Sequence, residues 1–467
     1  MMASALLLMV FTIAACDGFI EFQDENGESD DDSELKGNTL GTSQYFDSFV
    51  QANIFHTLSD EEFEEVTDQF HTILNHLHEV ATSYDKFEIT KFIPLPGEHH
   101  NVGDDVYLYE HGPSIDIKVP RITNVKVINE SPGVWHEVDE ALFDMIMTSI
   151  DYYDYTNGYF DISLGPVIDI WNEYSLDCDE FLYSIAGSDN REQRMEEDYS
   201  DYCRVPSTEE LEAANEHVGI DKIEIDEANQ RIKIKEGMRL DLGGIGKGYA
   251  AKVLGDYLKT VDGIESFLVN AGTSNVEVYG DHPYRENKLW YTGVTNPDTP
   301  NDPTSRIASL QITSGDNVTT SGDYQRYYEV DGRKYHHLIN PNTLFPTDHH
   351  SSVTMVSSDG EIGDILVTAV FVMPLDEGLE FVNTRSDIEA LWYIDEDTVV
   401  MSDNFEENYI REFSLDGVGD DSGQSNDNFV LLGALFLPGI LLIIFSVLTL
   451  LYKKGIIKLP PFLTKDL

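Results

Sequence analysis

Apolar residues recur at helical spacing in three parts of the chain. The segment 59–80 has one apolar stripe, and Ser59 stands at the position of an N-cap. The segments 137–156 and 207–217 have the same helical character, and Ser207 begins a capping box. The stripe of the first segment consists of Phe63, Val66, Phe70, Ile73, Leu74 and Leu77. The pattern therefore predicts three amphipathic helices, each with one face against a core.

Strand-like runs predict a substantial sheet in the second half of the chain. These runs lie at 222–226, 231–235, 266–270, 275–279, 290–294 and 307–313. Two more runs, 327–330 and 334–339, flank Asp331-Gly332, a dipeptide typical of a tight hairpin turn. Because side chains alternate along a strand, His336 and His337 are expected on opposite faces. Only one of the two histidines is then expected to face a site.

A glycine-rich turn joins a strand pattern to a helix pattern at 241–259. The strand-like pattern ends at Asp241, and the glycines Gly243, Gly244, Gly246 and Gly248 follow. A strand, a glycine turn and a helix bring backbone N–H groups and a helix N-terminus against a phosphate. The spacing fits neither a Walker A loop nor a dinucleotide-binding loop. Tight packing of the helix on the strand would use the same glycines, so both interpretations stay open.

Two oxygen-bearing side chains share one face of a predicted buried helix. This helix covers residues 364–371 and is ended by Pro374. Asp364 and Thr368 are four residues apart, so they lie one helical turn apart on one face. Oxygen ligands in this arrangement suit a hard cation such as Mg²⁺. The alternative is that Asp364 is an N-cap and Thr368 an ordinary core threonine.

Six segments in order resemble the FAD:protein FMN transferases, the ApbE-like flavin transferases. They are 158–171, 205–219, 241–250, 267–272, 319–343 and 363–373. Order and spacing agree with that family over roughly residues 43–412. The resemblance implies an enzyme that needs Mg²⁺ and cleaves FAD at its pyrophosphate. It implies further that FMN is transferred to a serine or threonine hydroxyl of a partner protein and that AMP is released.

The resemblance also assigns roles to residues. The carbonyl of Gly244, with Asp364 and Thr368, matches metal-ligand positions, and His337 matches the family's base. Positions that contact the flavin substrate match Tyr84, Tyr159, Phe160, Asp161, Asp241, Lys247 and Ile339. These residue types fit the chemistry, because a divalent cation neutralises pyrophosphate charge and an imidazole can take a proton from a hydroxyl. Aromatic rings suit the flat flavin, although Phe160 equally suits an ordinary core position.

Two positions depart from the family turn, which usually reads I-D-P-x-T-G. Asn340 replaces the aspartate and Leu344 replaces the glycine. These changes keep a non-catalytic flavin-binding lipoprotein open as an alternative. A second alternative is an FAD pyrophosphatase, which uses water in place of a protein hydroxyl. Roughly residues 172–204 form an insertion that contains Cys178 and Cys203, and we interpret it as a surface excursion.

The chain is strongly acidic. It has 29 Lys and Arg against 86 Asp and Glu, a formal net charge of −57. This charge excludes electrostatic binding of nucleic acid and opposes binding to anionic membranes. Part of the acid lies in the tracts 25–34 and 416–428, which are predicted to be disordered. The remaining acid indicates a surface adapted to salt or to a basic partner.

Both ends of the chain predict membrane attachment. The apolar run 5–15 precedes Cys16, a candidate for lipid modification, although an ordinary signal peptide or an uncleaved anchor also fits. Residues 429–452 carry no charge and are long enough to cross a bilayer, and the lysines after them place the C-terminus in the cytoplasm. The catalytic part is therefore expected outside the cytoplasm. A Cys178–Cys203 pair is permitted there. The acceptor would be a membrane redox complex or an extracytoplasmic flavoprotein.

The predicted fold class is α+β, with one catalytic domain that has a mixed or antiparallel sheet and flanking helices. The predicted segments are a leader 1–15, an acidic spacer 16–42, a flavin transferase domain 43–412, an acidic linker 413–428, a transmembrane helix 429–452 and a cytoplasmic tail 453–467.

Overall fold

A computed structural model describes most of the predicted catalytic domain. The described residues are 35–46, 48–94, 114–120, 122–186, 191–272, 274–302 and 304–413. The predicted leader, Cys16, the acidic tracts, the transmembrane helix and the tail lie outside these residues. Within them, no helix is both long enough and apolar enough to cross a bilayer.

An eight-stranded sheet forms the centre of the fold. Its order is β1-β2-β8-β9-β12-β15-β16-β17, and every neighbouring pair is antiparallel. The strands are β1 (Lys36–Tyr45), β2 (Ser48–His56), β8 (Ile264–Ala271), β9 (Asn275–Tyr279), β12 (Asn317–Gly322), β15 (Ser352–Ser357), β16 (Ile388–Asp395) and β17 (Thr398–Met401). The predicted spacer 16–42 is too long, because β1 begins at Lys36 and pairs with β2.

Smaller sheets surround the central one. Two have three strands, in the orders β10-β11-β18 and β5-β7-β6, and two are the pairs β3-β4 and β13-β14. Their bounds are β3 (Glu88–Pro94), β4 (Ser114–Pro120), β5 (His136–Glu137), β6 (Ile223–Asp226), β7 (Arg231–Ile234), β10 (Trp290–Thr295), β11 (Arg306–Ile312), β13 (Tyr327–Val330), β14 (Arg333–His336) and β18 (Ile410–Phe413). The six predicted strands are confirmed to within two residues at each end.

The described helices include all three amphipathic helices that the apolar pattern predicts. They are α1 (Asp60–Ala81), α2 (Val125–Glu130), α3 (Glu140–Tyr155), α4 (Gly165–Ile185), α5 (Arg191–Glu197), α6 (Tyr199–Tyr202), α7 (Thr208–Asn215), α8 (Gly246–Lys259), α9 (Gly360–Val372), α10 (Leu375–Asn383) and α11 (Phe405–Tyr409). Ser59 is the N-cap of α1 and Ser207 forms a capping box, as predicted, and Ser59 forms a capping box as well. The helix predicted at 137–156 begins at Glu140 instead, because Asp139 caps it and His136–Glu137 pair in a strand.

Two helices lie side by side on one face of the central sheet. Helix α8 packs on β8 and β9, helix α9 packs on β12 and β15, and the two helices pack on each other. Helix α9 is apolar nearly all round, and most of its residues are buried. The fold is thus the predicted α+β arrangement with antiparallel sheets. The contact between α8 and α9 carries the candidate site.

A third hydrophobic cluster lies away from the two that cover the faces of the sheet. It joins helix α4 to the hairpin β13-β14 and to the turn that follows it. Its buried members include Trp171, Cys178, Tyr328, Ile339 and Leu344.

Candidate functional site

The glycine turn brings the start of α8 against α9. The backbone N–H of Gly248 donates to Asp364 Oδ2 at 3.0 Å. A Cβ added to Gly248 would lie 2.4 Å from the carbonyl oxygen of Gly360, so a side chain there would separate the two helices. A Cβ on Gly244 would lie 2.9 Å from the Phe160 ring and 3.3 Å from Thr368 Oγ1. Close packing therefore explains two of the four glycines, as one of the two interpretations expected.

The three predicted metal ligands come together at this contact. Asp364 lies within α9 and is 5% exposed, and Thr368 is half-buried one turn further along the helix. The N-cap of α9 is Asp359, whose carboxylate accepts from the N–H groups of Glu361 and Ile362. The N-cap alternative for Asp364 is therefore wrong, and the helix begins four residues before the predicted start.

An all-oxygen set of this kind fits Mg²⁺. It offers the Asp364 carboxylate, the Thr368 hydroxyl and the neighbouring backbone of Gly244, and hard cations prefer oxygen ligands. The part of the chain that the structure describes contains no group of three or more His, Cys, Asp or Glu residues placed to hold a metal. With a single carboxylate, the set would leave positions for substrate phosphate oxygens, as protein Mg²⁺ sites commonly do.

The carboxylates of Asp161 and Asp241 lie beside the glycine turn. The N–H of Asp241 donates to the Ile162 carbonyl at 2.9 Å, and Asp241 Oδ1 accepts from Gly243 N–H at 2.8 Å. Asp161 Oδ1 accepts from the N–H and the hydroxyl of Ser163. Burial raises the pKa of both carboxyls above the ordinary value, although these hydrogen bonds oppose the shift. The segment that contains Asp161 and the turn after Asp241 are thus tied together.

The predicted aromatic residues of the site differ in exposure. The Tyr159 hydroxyl donates to Glu377 Oε2 at 2.9 Å, and burial together with Glu377 raises the pKa of Tyr159 to about 12. Phe160 is buried beside Gly244, which fits a core role as well as a ligand contact. Tyr84 lies on the turn after α1 and is 64% exposed. Its N–H donates to Thr82 Oγ1, a contact that shapes the turn but does not join it to the other candidates.

The two histidines of the hairpin have opposite surroundings, as predicted. His336 is 4% exposed, its Nε2 donates to the Thr347 carbonyl at 2.7 Å, and its Nδ1 accepts from Leu338 N–H. His337 follows the end of β14 and is exposed, with Nδ1 3.3 Å from the Arg326 carbonyl oxygen. His337 thus keeps a ring nitrogen free of these structural bonds, whereas His336 uses both.

Two cations influence the His337 imidazole. Although the residue is exposed, desolvation by the surrounding chain lowers its pKa to about 3, and the neighbouring His336, Arg326 and Lys247 lower it further. The imidazole is therefore neutral at pH 7, the state in which it can accept a proton. Lys247 and Arg326 also act on Asp241, so both cations lie near the glycine turn. Sequence reasoning missed Arg326, although it lies within the 319–343 segment of the family resemblance.

A backbone bridge and two side-chain hydrogen bonds hold the turn that follows His337. Ile339 is buried and forms a bridge with Pro346. Asn340 Oδ1 accepts from Asn342 N–H at 2.8 Å, and its Nδ2 donates to the Val372 carbonyl at 2.9 Å. Leu344 has a φ of +66°, a left-handed conformation that glycine adopts without strain. The glycine of the family turn therefore matches a backbone requirement that this chain meets with leucine.

Sequence comparison identifies relatives for the chain. Residues 120–392, more than half of the chain, match the ApbE family. A Klebsiella pneumoniae FAD:protein FMN transferase is 33% identical over 200 residues, which are 42% of this chain and 59% of that protein. The Escherichia coli K12 protein of the same name is 26% identical over 258 residues, 54% of this chain and 65% of that protein. The matches thus span less than two thirds of these relatives.

Solved structures show the same fold. The ApbE protein of Thermotoga maritima superposes with a TM-score of 0.58 at 24% identity, covering 80% of this chain and 99% of that chain. The Pseudomonas stutzeri flavinyl transferase ApbE gives a TM-score of 0.57 at 20% identity, covering 80% and 96% of the two chains. The resemblance stated from sequence is confirmed, and the chain belongs to the ApbE family.

Proposed function

We propose that this protein is an FAD:protein FMN transferase. The observation that carries the proposal is the meeting, around one glycine turn, of an oxygen set for Mg²⁺, two cations and a neutral imidazole. FAD is anionic, and the chain as a whole would repel it, so Lys247 and Arg326 supply local attraction. The residues that could supply acid/base and metal chemistry for breaking a pyrophosphate therefore lie around one turn, which supports the proposal.

Each residue of the candidate site is assigned a separate role in the proposed reaction. His337 takes the proton from an acceptor serine or threonine hydroxyl, whose oxygen attacks the phosphorus on the FMN side of the pyrophosphate. The bond from that phosphorus to the AMP oxygen breaks, so FMN becomes a phosphoester of the acceptor and AMP leaves. Mg²⁺ held by Asp364, Thr368 and the Gly244 carbonyl would neutralise charge on the pyrophosphate oxygens. Lys247 and Arg326 bind and orient the same phosphates.

The departure at Asn340 has a structural explanation. Its Nδ2 donates to the carbonyl of Val372 at the end of α9, and an ionised aspartate has no proton to donate there. Asn340 therefore locks the turn that follows His337 onto the helix that carries Asp364 and Thr368. The packing of the turn thus accounts for asparagine at this position, so the replacement by itself does not favour the non-catalytic flavin-binding alternative. The pyrophosphatase alternative differs only in the nucleophile, and the choice depends on experiment.

Mass spectrometry tests the proposal. The purified protein is incubated with FAD, Mg²⁺ and a membrane or secreted protein fraction, and tryptic peptides are searched for a serine or threonine that carries FMN as a phosphoester. We expect such a peptide and one AMP per FMN transferred. AMP and free FMN without any flavinylated peptide would establish the pyrophosphatase. FAD that stays intact would contradict both enzymatic readings.

We propose the location from the end of the chain and from one disulfide. The lysines after 429–452 favour a catalytic domain outside the cytoplasm. The bridge between Cys178 and Cys203 supports an oxidising compartment. Protease added to intact cells is expected to digest the catalytic domain and spare the 453–467 tail. Cleavage of the tail alone would reverse the orientation.

A further inference from the structure

The hairpin that leads into His337 stands apart from the central sheet. Strands β13 and β14 pair only with each other in the described sheets, and Asp331 and Gly332 form their tight turn with φ of 52° and 77°. No ladder of backbone hydrogen bonds fixes the hairpin to β12 or β15. Its placement, and that of His337, therefore depends on side-chain contacts.

One side of the hairpin is anchored to the core. His336 packs edge-on against Phe371 of α9, with ring centroids 5.5 Å apart. The Asn340 side chain donates to the Val372 carbonyl of the same helix. These contacts hold the base of the hairpin but do not reach the strand β13 or the turn at its tip.

The other side rests on the insertion and on Trp171 just before it. The Tyr199 hydroxyl donates to the Glu329 carbonyl at 2.7 Å, and the Tyr328 hydroxyl donates to the Arg204 carbonyl at 3.1 Å. The Trp171 ring stacks on Tyr335, with centroids 5.6 Å apart and planes at 18°. Each strand of the hairpin is thus held by a separate contact, and two of the three contacts are directional hydrogen bonds.

A disulfide closes the segment that makes these contacts. Cys178 in α4 and Cys203 after α6 are 25 residues apart in sequence, and both are almost fully buried. Tyr199 lies within the closed loop, and Arg204 follows Cys203 directly. The bridge therefore fixes the two points from which the hairpin is supported. The insertion is more than the surface excursion that the sequence suggested.

We propose that residues 191–204, which the Cys178–Cys203 disulfide ties to α4, form a brace that positions His337, with Tyr199 on the brace and Tyr328 on the hairpin as the positioning residues. The proposal rests on the function proposed above, because it assigns the brace to the base of that reaction. The hydroxyls of Tyr199 and Tyr328 join the hairpin to the brace, the hairpin positions His337, and neither tyrosine is required for FAD binding. A small displacement of a base costs rate rather than affinity.

Two conservative changes test the brace. The Tyr199→Phe/Tyr328→Phe variant of the full chain removes both hydroxyls and keeps both rings, and Tyr202→Phe is the matched control. Tyr202 lies on the same segment, is 45% exposed and stacks on Phe181 of α4, not on the hairpin. We expect amide hydrogens of residues 327–339 to exchange about tenfold faster or more in the double variant, with strands β8 and β9 unchanged. The control should match the wild-type protein.

The kinetic readout separates positioning from general destabilisation. In the double variant, kcat for FMN transfer should fall about tenfold or more while KM for FAD stays constant. The Cys178→Ser/Cys203→Ser variant should show the same pattern with a larger effect. Unchanged exchange over 327–339 in the tyrosine variant would overturn the brace. Exchange is measured without turnover, so a wild-type protein that transfers no FMN would contradict the proposed function and leave the brace to be judged by exchange alone.

Discussion

Two adjacent histidines show how one residue of displacement changes a role. Both ring nitrogens of His336 are hydrogen-bonded within the fold, whereas His337 is exposed and lies close enough to Arg326 and Lys247 for both charges to lower its pKa. We predict that His337→Gln keeps FAD binding but lowers FMN transfer by about 10²–10⁴-fold, the usual loss when a general base is removed. His336→Gln should lower the melting temperature. Transfer at the wild-type rate in the His337 variant, measured with a saturating acceptor, would contradict the assignment.

The lowered pKa of His337 gives a second prediction at this scale. Because the imidazole is neutral down to about pH 3 in the free protein, kcat/KM for FAD should show no acid limb near pH 6.5. The measurement is a rate profile between pH 8 and pH 5, with stability checked at each point. A limb centred near the ordinary histidine pKa would show that the pKa of His337 is not lowered.

Two aspartates of one helix allow a matched test of the metal site. Asp364→Ala should abolish Mg²⁺-dependent turnover, and because it leaves the Gly248 N–H without its acceptor it should also cost about 1–3 kcal/mol of stability. Asp359→Ala removes the cap and should cost about 1 kcal/mol of stability while turnover persists. The readouts are FAD turnover against Mg²⁺ concentration and the free energy of unfolding. The reverse outcome, with turnover lost only in the Asp359 variant, would move the metal site elsewhere.

Only part of the candidate site could be predicted from spacing. The spacing of Asp364 and Thr368 placed them on one helix face, and the family resemblance added Gly244 and Asp241 to them. The choice between Asp359 and Asp364 as the cap depends on backbone angles, which residue type alone does not determine. Arg326 was missed because a single arginine between tyrosines carries no periodic signal. Its meaning arises only when the chain folds it beside His337.

At the scale of elements, α9 is held by two buried histidines. His336 and His350 both pack edge-on against Phe371, and His350 Nε2 donates to the Phe371 carbonyl at 2.8 Å. The pKa of each histidine is lowered to about 4, mainly because the side chain is buried. The end of this helix thus depends on two neutral imidazoles.

This arrangement predicts acid sensitivity. The unfolded chain takes up protons at these histidines below about pH 6.5 while the folded chain does not, so the free energy of unfolding falls as the pH drops from 6.5 towards 4. At pH 5 the loss is about 2 kcal/mol for each histidine. His350→Gln should lower stability at pH 7.5 but give a shallower pH dependence, measured by denaturant titration. An unchanged slope would contradict the prediction.

Helices and strands with strong periodicity were predicted closely, and those without it were not. The stripe in α1 and the capping box of α7 gave both bounds within two residues. Strand β1, which reads KGNTLGTSQY, alternates weakly and lies at the edge of the sheet, so its sequence resembled a spacer. Its pairing with β2 supplies the order that its own sequence does not indicate.

At the scale of the whole molecule, the acidic charge is spread over the folded part and its ends. A net charge of −57 destabilises a compact state through self-repulsion, and salt screens that repulsion. We predict that the melting temperature rises steadily as KCl is increased from about 0.01 M to about 1 M, where the Debye length falls from about 30 Å to about 3 Å. Sucrose of equal osmolality is the control. A melting temperature that ignores KCl would favour a charge kept for a basic partner.

The insertion 172–204 bears on the left-handed backbone of Leu344, because it contributes to the cluster in which the Leu344 side chain is buried. A Cβ in this conformation costs about 1–2 kcal/mol, and burial of the leucine side chain returns about 2 kcal/mol. That burial takes place in the cluster that contains Cys178 and Cys203, and Trp171 Nε1 donates to the Leu344 carbonyl. A deletion of residues 172–204 would remove Cys178, Phe181, Ile185 and Cys203 from that cluster, whereas the backbone cost at Leu344 would remain. The deletion and Leu344→Gly should therefore be made together, because glycine adopts this conformation without strain.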